Sequence, residues 1–205
     1  YWNVFTVTGP LIGHSTAIDS RVQLAAQDAD SGLLFLWSQG TLSIKDAKTG
    51  HARSIPLRTK FPGLGHVHGM ALDDAHDRLF LSTATELRSL ELQTMTMSTL
   101  RSDVRNAYSA LAWSASRRQL YAIEEDRTGR GEIRRIQRFN AHGARLGTIE
   151  LSQVVTREQS FAAAGLQLID LDEMLAVIEY RQGRTVRLAN GHQLGHPSTG
   201  RITVL

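Results

Sequence analysis

The chain has 205 residues, 41% of them hydrophobic and 21% charged, with a formal net charge of +3 and no cysteine. That length holds one domain with a substantial core, while the missing cysteines exclude disulfides and thiolate metal sites. No run of about 18 apolar residues is present, which excludes a transmembrane helix, and so small a charge excess makes nucleic acid an unlikely partner in electrostatic terms.

The chain opens "YWNVFTVTGP", with neither an initiator Met nor the basic-then-apolar order of a signal peptide. Either a targeting segment has been removed or the sequence is a piece of a longer protein. An extracytoplasmic position, periplasmic or secreted, is the expectation. Residues 1–8 read as an extra strand that closes the last sheet beside "RITVL".

A first unit spans about 20–60. "LAAQDADSGLLFL" gives a strand, a polar turn and a second, apolar strand. Two alternating strands follow, Thr41–Ile44 and His51–Leu57, joined by the turn "KDAKTG". A second unit, 66–102, contains "MALDDAHDRLFLS". A third, 107–151, contains "LAWSASRRQLYAI" and ends in strands Ile133–Phe139 and Ala144–Leu151 around "NAHG". "SQVVTREQSFAAAG" is the one stretch expected to carry a helical turn. A fourth unit, 162–205, contains "LQLIDLDEMLAV".

These units align. Met70, Ala71, Leu72, Leu79 and Phe80 stand over Leu111, Ala112, Trp113, Leu120 and Tyr121 without a gap. Leu34-Phe35-Leu36 stand over Leu79-Phe80-Leu81 at a spacing of 45. A period of about 40–50 residues is the mark of propellers and solenoids. Four short strands per period make the meander of a propeller blade, and the small residues Ala25, Ala26, Ala71 and Ala112 suit a crowded first strand. By the same alignment Trp113 faces the core, whereas Trp37, at a strand end, is expected to be partly wet.

"GMALDDAHDRLFLST" and "ALAWSASRRQLYAIEEDRTGRGEI" resemble repeats of the broad β-propeller superfamily that includes the YVTN, NHL and WD40 types. The resemblance covers roughly residues 20–205 and implies an all-β propeller of about four, possibly five, four-stranded blades, or part of a larger one. The structural alternative is a parallel β-helix.

Several residue groups are candidates for function. The loops that lead into each unit, "GHST" with Asp19, "FPGLGHVH", "SDVRNAY" and "REQSF", would gather at one mouth of a propeller. They hold His14, Asp19, Phe61, His66, His68, Arg105, Tyr108, Arg157 and Phe161, a mixture of aromatics, Arg and His typical of binding hot spots. His66 and His68 sit at i and i+2, so a strand puts both imidazoles on one face, about 7 Å apart. They could share Zn²⁺ or Cu²⁺ if a third ligand arrived from another unit. Glu124 and Glu179 occupy matching places in "AIEED" and "VIEYR". The resemblance implies a use for them, since propeller lactonases hold Ca²⁺ with such acids; the plainer reading is a salt bridge to Arg127 or Arg181. The basic stretch from Arg127 to Arg138 is a competing site on the rim, for an acidic partner or phosphate.

"FPGLGHVHG" is not a dinucleotide loop, because its third glycine comes one residue late and a strand follows it. His192 and His196 lie among Gly191, Gly195 and Pro197, in a loop without the Glu of a His-Glu-x-x-His helix. Besides an extracytoplasmic assembly subunit whose propeller is one part of a larger complex, two functions remain open. One is a non-catalytic binding or scaffold module for a protein or glycan, needing no cofactor. The other is a small metal-dependent hydrolase or lyase using Ca²⁺ or Zn²⁺ at His66, His68, Glu124 and Glu179. The oligomeric state is left open.

Overall fold

A computed structural model describes residues 22–28, 30–102, 108–125, 134–150, 165–171, 174–181, 185–187, 193–195 and 199–204, with backbone alone beyond 150. The described chain is almost entirely antiparallel β structure. It falls into two compact units, divided after Gly65.

The first unit carries one sheet in simple meander order: β1 (Leu24–Gln27), β2 (Leu33–Ser38), β3 (Thr41–Asp46) and β4 (Ala52–Ile55). Each hairpin follows from local chemistry. The turn before β2 is tied by Asp28, whose Oδ1 accepts the N–H groups of Asp30 and Ser31 at 2.9 and 3.1 Å. Gln39 and Gly40 both have positive φ, 49° and 91°, which is the two-residue turn that matches strand twist. Gly40 is also required sterically, since a Cβ there would lie 2.9 Å from Cβ of Arg58. Asp46 closes the next turn by accepting from the N–H groups of Lys48 and Thr49 at 2.7 and 3.0 Å.

The sequence reading ran the fourth strand of this sheet on to Leu57. The strand ends at Ile55, and a single helical turn, α1 (Leu57–Lys60), replaces its last residues. Pro56 has no N–H to give a ladder, and its carbonyl instead accepts from Thr59 and Lys60. The turn tucks Leu57 fully into the core, at a place where no helical turn was expected. Of the stretch expected to carry one, 152–165, residues 152–164 lie outside the described residues and Gly165 begins a strand.

The second unit contains two further four-stranded meanders. One is β5 (Gly69–Asp73), β6 (Arg78–Ser82), β7 (Leu87–Glu91) and β8 (Thr96–Arg101). The other is β9 (Tyr108–Ser114), β10 (Gln119–Glu125), β11 (Arg134–Asn140) and β12 (Arg145–Glu150). Next come β13 (Gly165–Leu171) and β14 (Met174–Arg181), a hairpin of β15 (Thr185–Arg187) and β16 (Gln193–Gly195), and β17 (Thr199–Val204). Here the expected four-strand order changes: β17 pairs directly with β14, and the β15–β16 hairpin stands apart. Residues 1–8, expected to close this sheet, lie outside the described residues.

The aligned motifs fall on equivalent strands. Leu34, Leu79 and Leu120 all open the buried part of the second strand of their sheets. That strand is paired on both sides and buried on both faces, as Leu79, Phe80, Leu81 and Ser82 show at 0% exposure. Burying each such Leu or Phe contributes about 1.5–3 kcal/mol. In the second unit β9 packs beside β5 on one side and β13 on the other, so the first strands of successive sheets are neighbours. Their small residues permit this. A Cβ on Gly69 would lie 2.8 Å from Ser82 Oγ and 3.0 Å from Leu111 Cγ. Ala71 and Ala112 are buried as well, whereas Ala25, the matching small residue of the first unit, is exposed.

The expectation for the tryptophans is reversed. Trp37 is 1% exposed, and Trp113 is only partly buried. The alignment itself is not at fault, because Trp113 and its matches Leu72 and Ala26 are all half-buried, at the end of a first strand. Trp37 matches Ser82 and Ile123 on the doubly covered second strand.

Candidate functional site

One end of the second unit collects the candidate positions His66, His68, Tyr108, Glu124 and Glu179. It is the end at which β5 and β9 begin, and the register defines it. His68 N–H donates to Ser82 O at 2.8 Å, which extends the β5–β6 pairing by one residue. Ser82 Oγ donates to Tyr108 O at 2.8 Å, joining the second sheet to the start of β9. Tyr108 is opposite Glu124, and Glu124 is opposite Arg135. The backbone thus lines up His68, Ser82, Tyr108, Glu124 and Arg135 across two sheets. Glu179 falls at the corresponding end of β14, opposite Leu166 and Arg201.

His66 is exposed and His68 half-buried, on either side of Val67, which is 2% exposed. Their rings are 4.8 Å apart, edge to face. Beside them the β6–β7 connection is closed by Thr83, whose N–H donates to Glu86 O at 2.9 Å while its Oγ1 accepts from Glu86 N–H at 3.1 Å. Arg88 Nε donates to the Glu86 carboxylate at 2.7 Å.

Glu124 is held within the sheet. Gln137 Nε2 donates to its Oε2, and the Arg135 guanidinium is 3.5 Å from the same oxygen. Gln137, 5% exposed, accepts in turn from Thr148 Oγ1 at 3.0 Å, and Thr148 accepts from Arg145 at 2.6 Å. The ladder crosses β10, β11 and β12 on the face that packs toward the second sheet. Among the described residues the ion-pair partner of Glu124 is Arg135; the side chains of Arg127 and Arg181, the partners expected from the sequence, lie outside them. A carboxylate tied this way is a poor start for a Ca²⁺ site, which wants several free oxygens.

Two other candidates are placed differently from the expectation. Tyr108 belongs to the core. It is 7% exposed, packed 5.6 Å from Phe139 in a T-shaped contact, and shares a cluster with Ala71, Phe80 and Leu111. Its backbone marks the site; its ring does not present itself to a partner. Of the basic stretch, Arg138 lies over Gly147, whose added Cβ would be 2.7 Å from Nη2, and it flanks the buried Ile136. That arginine covers a core face, where the rim reading needs it free. Phe61 belongs to the first unit, half-buried after α1, with Lys60 Nζ 5.8 Å from its ring centroid. His14, Asp19, Arg105, Arg157 and Phe161 lie outside the described residues, as do Arg127, His192 and His196. Sequence reasoning missed Glu86, Arg88, Gln137 and Thr148. Gln137 and Thr148 sit in period with Arg135 and Glu150 on their strands, but nothing in the sequence marks them as facing Glu124.

No family model matches the sequence, and no curated protein is significantly similar to it. Its fold does have solved counterparts. A nidogen/laminin complex structure superposes with a TM-score of 0.56 at 15% identity, over 76% of this chain and 55% of that one. The structure of U3-55K gives 0.54 at 19% identity, over 88% and 53%. Kuenenia stuttgartiensis hydrazine synthase gives 0.50 at 13% identity, over 96% and 66%. These are propeller-type folds. The fold here is of the same all-β propeller type, built from blade-like sheets. The chain spans between about half and two thirds of the length of these structures.

Proposed function

We propose that this chain is a binding or scaffold module that engages a protein partner through the end of the second unit where β5 and β9 begin. The observation that carries this reading is the placement at that end of His66, His68, Glu86, Arg88 and Arg135 on a scaffold of sheets whose second strands are buried. Rigid strands that display polar side chains at one end give a surface whose geometry is set before a partner arrives, which lowers the cost of association. One of the similar folds was solved as a nidogen/laminin complex, which supports a protein as the kind of partner.

The test is capture by the purified chain followed by a paired mutational scan. His66→Ala with Glu86→Lys at the proposed end should weaken a captured partner by about 1–3 kcal/mol, the range of binding hot spots. Gln93→Ala with His142→Ala, both exposed at the opposite end, should leave it unchanged. Loss of binding in the second pair and retention in the first would overturn the assignment.

A further inference from the structure

We infer that the turn α1 of the first unit, with Arg58, Lys60 and Phe61, is a docking surface for an acidic segment of a protein partner. The inference concerns the first unit alone and does not rest on the reading of the second. Charge separation is the first observation. The acidic residues described in this unit are Asp28, Asp30 and Asp46, and all three lie at the end where the β1–β2 and β3–β4 turns meet, joined by Ala47 N–H donating to Gly32 O at 3.1 Å. At the opposite end α1 sits beside the β2–β3 turn, where Arg58 N–H donates to Gly40 O at 3.0 Å. Arg58 and Lys60 are exposed there, and among the described residues neither has a carboxylate partner.

The second observation is rigidity. Leu57 and Leu64, 0% and 2% exposed, anchor the chain on either side of the basic turn. Phe61 N–H donates to Leu57 O and Leu64 N–H to Phe61 O, each at 2.8 Å. The Arg58 stem runs along Gly40, whose added Cβ would lie 2.9 Å from Arg58 Cβ and 3.4 Å from its Cδ. Lys60 Nζ stands 5.8 Å from the centroid of the half-buried Phe61 ring, within cation–π range. Both cations are thus presented from a fixed backbone, which lowers the cost of binding. Residues two apart on a helical turn do not face each other, so Arg58 and Lys60 suit two carboxylates of one chain better than a single small anion. A bilayer is the poorer fit, because among the described residues of this unit no large hydrophobic side chain is exposed for insertion.

The experiment measures fluorescence anisotropy of a fluorescein-labelled peptide of alternating Glu and Gly, titrated with the full chain. Binding should weaken as salt rises. Arg58→Gln with Lys60→Gln should weaken it about tenfold. Phe61→Leu, which keeps apolar volume and removes the ring, should weaken it about two- to fivefold. Lys45→Gln with Lys48→Gln removes the same charge from the other part of the sheet and should leave the affinity unchanged. Equal losses in the two double variants would mean that net charge alone attracts the peptide, and would overturn the inference. So would unchanged affinity in the Arg58 and Lys60 variant, or capture by phosphatidylserine vesicles without binding of the peptide.

Discussion

The turn from β5 into β6 and the turn from β9 into β10 share a backbone and differ in charge. Both leave a buried polar residue at the end of the first strand, Asp73 at 1% exposure and Ser114 at 0%. Both cross in four residues and finish on a non-glycine residue with positive φ, Asp77 at 48° and Arg118 at 51°. In the first, Asp73 accepts from Arg78 at 2.6 Å and lies 3.0 Å from His76, and the Arg78 guanidinium sits 4.9 Å from the Phe80 ring. In the second, Ser114 Oγ accepts from Arg117 N–H at 3.3 Å, and Tyr121 OH donates to Gln119 at 3.2 Å. One sheet closes its turn on a carboxylate in an ion pair and the other on a hydroxyl, with the Arg117 guanidinium donating to Tyr121 OH at 3.3 Å. The backbone path is set by turn length and the apolar strands on either side, so the side chains inside the turn are free to differ.

The largest way to break this comparison is to remove one partner of the ion pair. Asp73→Ala leaves Arg78, 13% exposed, without its carboxylate. Breaking a buried pair in this way costs about 3–5 kcal/mol. Ser114→Ala, at the same place in the next sheet, loses only the long hydroxyl hydrogen bonds to the Arg117 N–H and the Ser116 hydroxyl and should cost about 1 kcal/mol. Urea unfolding of the two variants measures the contrast, and equal losses would mean that the ion pair is not buried in the sense described.

A double substitution sharpens the point. Asp73→Leu with Arg78→Met removes both charges and keeps apolar volume against Phe80 and Trp113. It should be markedly less damaging than Asp73→Ala alone, since no uncompensated charge is left. A double variant as unstable as the single would show that Arg78 matters chiefly through its stacking, 6.0 Å from the Trp113 ring.

These two turns also explain what could be read in the sequence. The gapless alignment of 70–82 with 111–123 was legible because equal turn length and equal apolar spacing fix equal backbones. So were the turns at Asp46 and Asn140, where an Asx residue followed by Gly announces itself; Asn140 Oδ1 accepts from His142 and Ala144 at 3.0 and 2.9 Å. The burial of Trp37 was not legible, because a strand end looks wet in sequence and only pairing on both sides covers it. Nor was the β15–β16 hairpin, where pairing of β17 with β14 passes over a neighbour in sequence. Of the site, the His66–His68 pair was visible as i, i+2 spacing. The ladder from Glu124 to Arg145 was not, because it joins three strands whose register depends on the whole sheet.

A smaller effect tests the shared backbone. Positive φ costs a non-glycine residue about 1–2 kcal/mol, so glycine at the last turn position relieves strain in both sheets. Arg118→Gly should stabilise by about 0.5–1 kcal/mol after the extra chain entropy of glycine is set against it. Asp77→Gly should gain less, because Asp77 Oδ2 accepts from Gln93 Nε2 at 2.6 Å and that bond is lost. Thermal unfolding of the two variants reads the difference, and an equal gain would mean the Gln93 bond contributes nothing.

The smallest expected effect brings in the corresponding turn of the first unit, which uses a third chemistry. Asp28 is half-buried. Its burial works against the charge, but hydrogen bonds from the Ser31 hydroxyl, the Ser31 N–H and the Asp30 N–H outweigh it and hold the carboxyl below the usual range. A pKa lower in the folded chain than in the unfolded one means that the unfolded state takes up protons first. The stabilisation is therefore fully present above about pH 4, the ordinary Asp value, and fades as pH falls through the depressed folded value. Asp28→Asn keeps the N–H acceptor and removes the titration. Its stability should fall less steeply than that of the unaltered chain between about pH 4 and pH 2, with the two curves parallel above pH 5. Because solvent screens this carboxylate, the difference should be small beside that of Asp73→Ala. Parallel curves throughout the acid range would show that the Asp28 turn owes nothing to its charge and would leave the Asp73 pair as the one charged turn of the two.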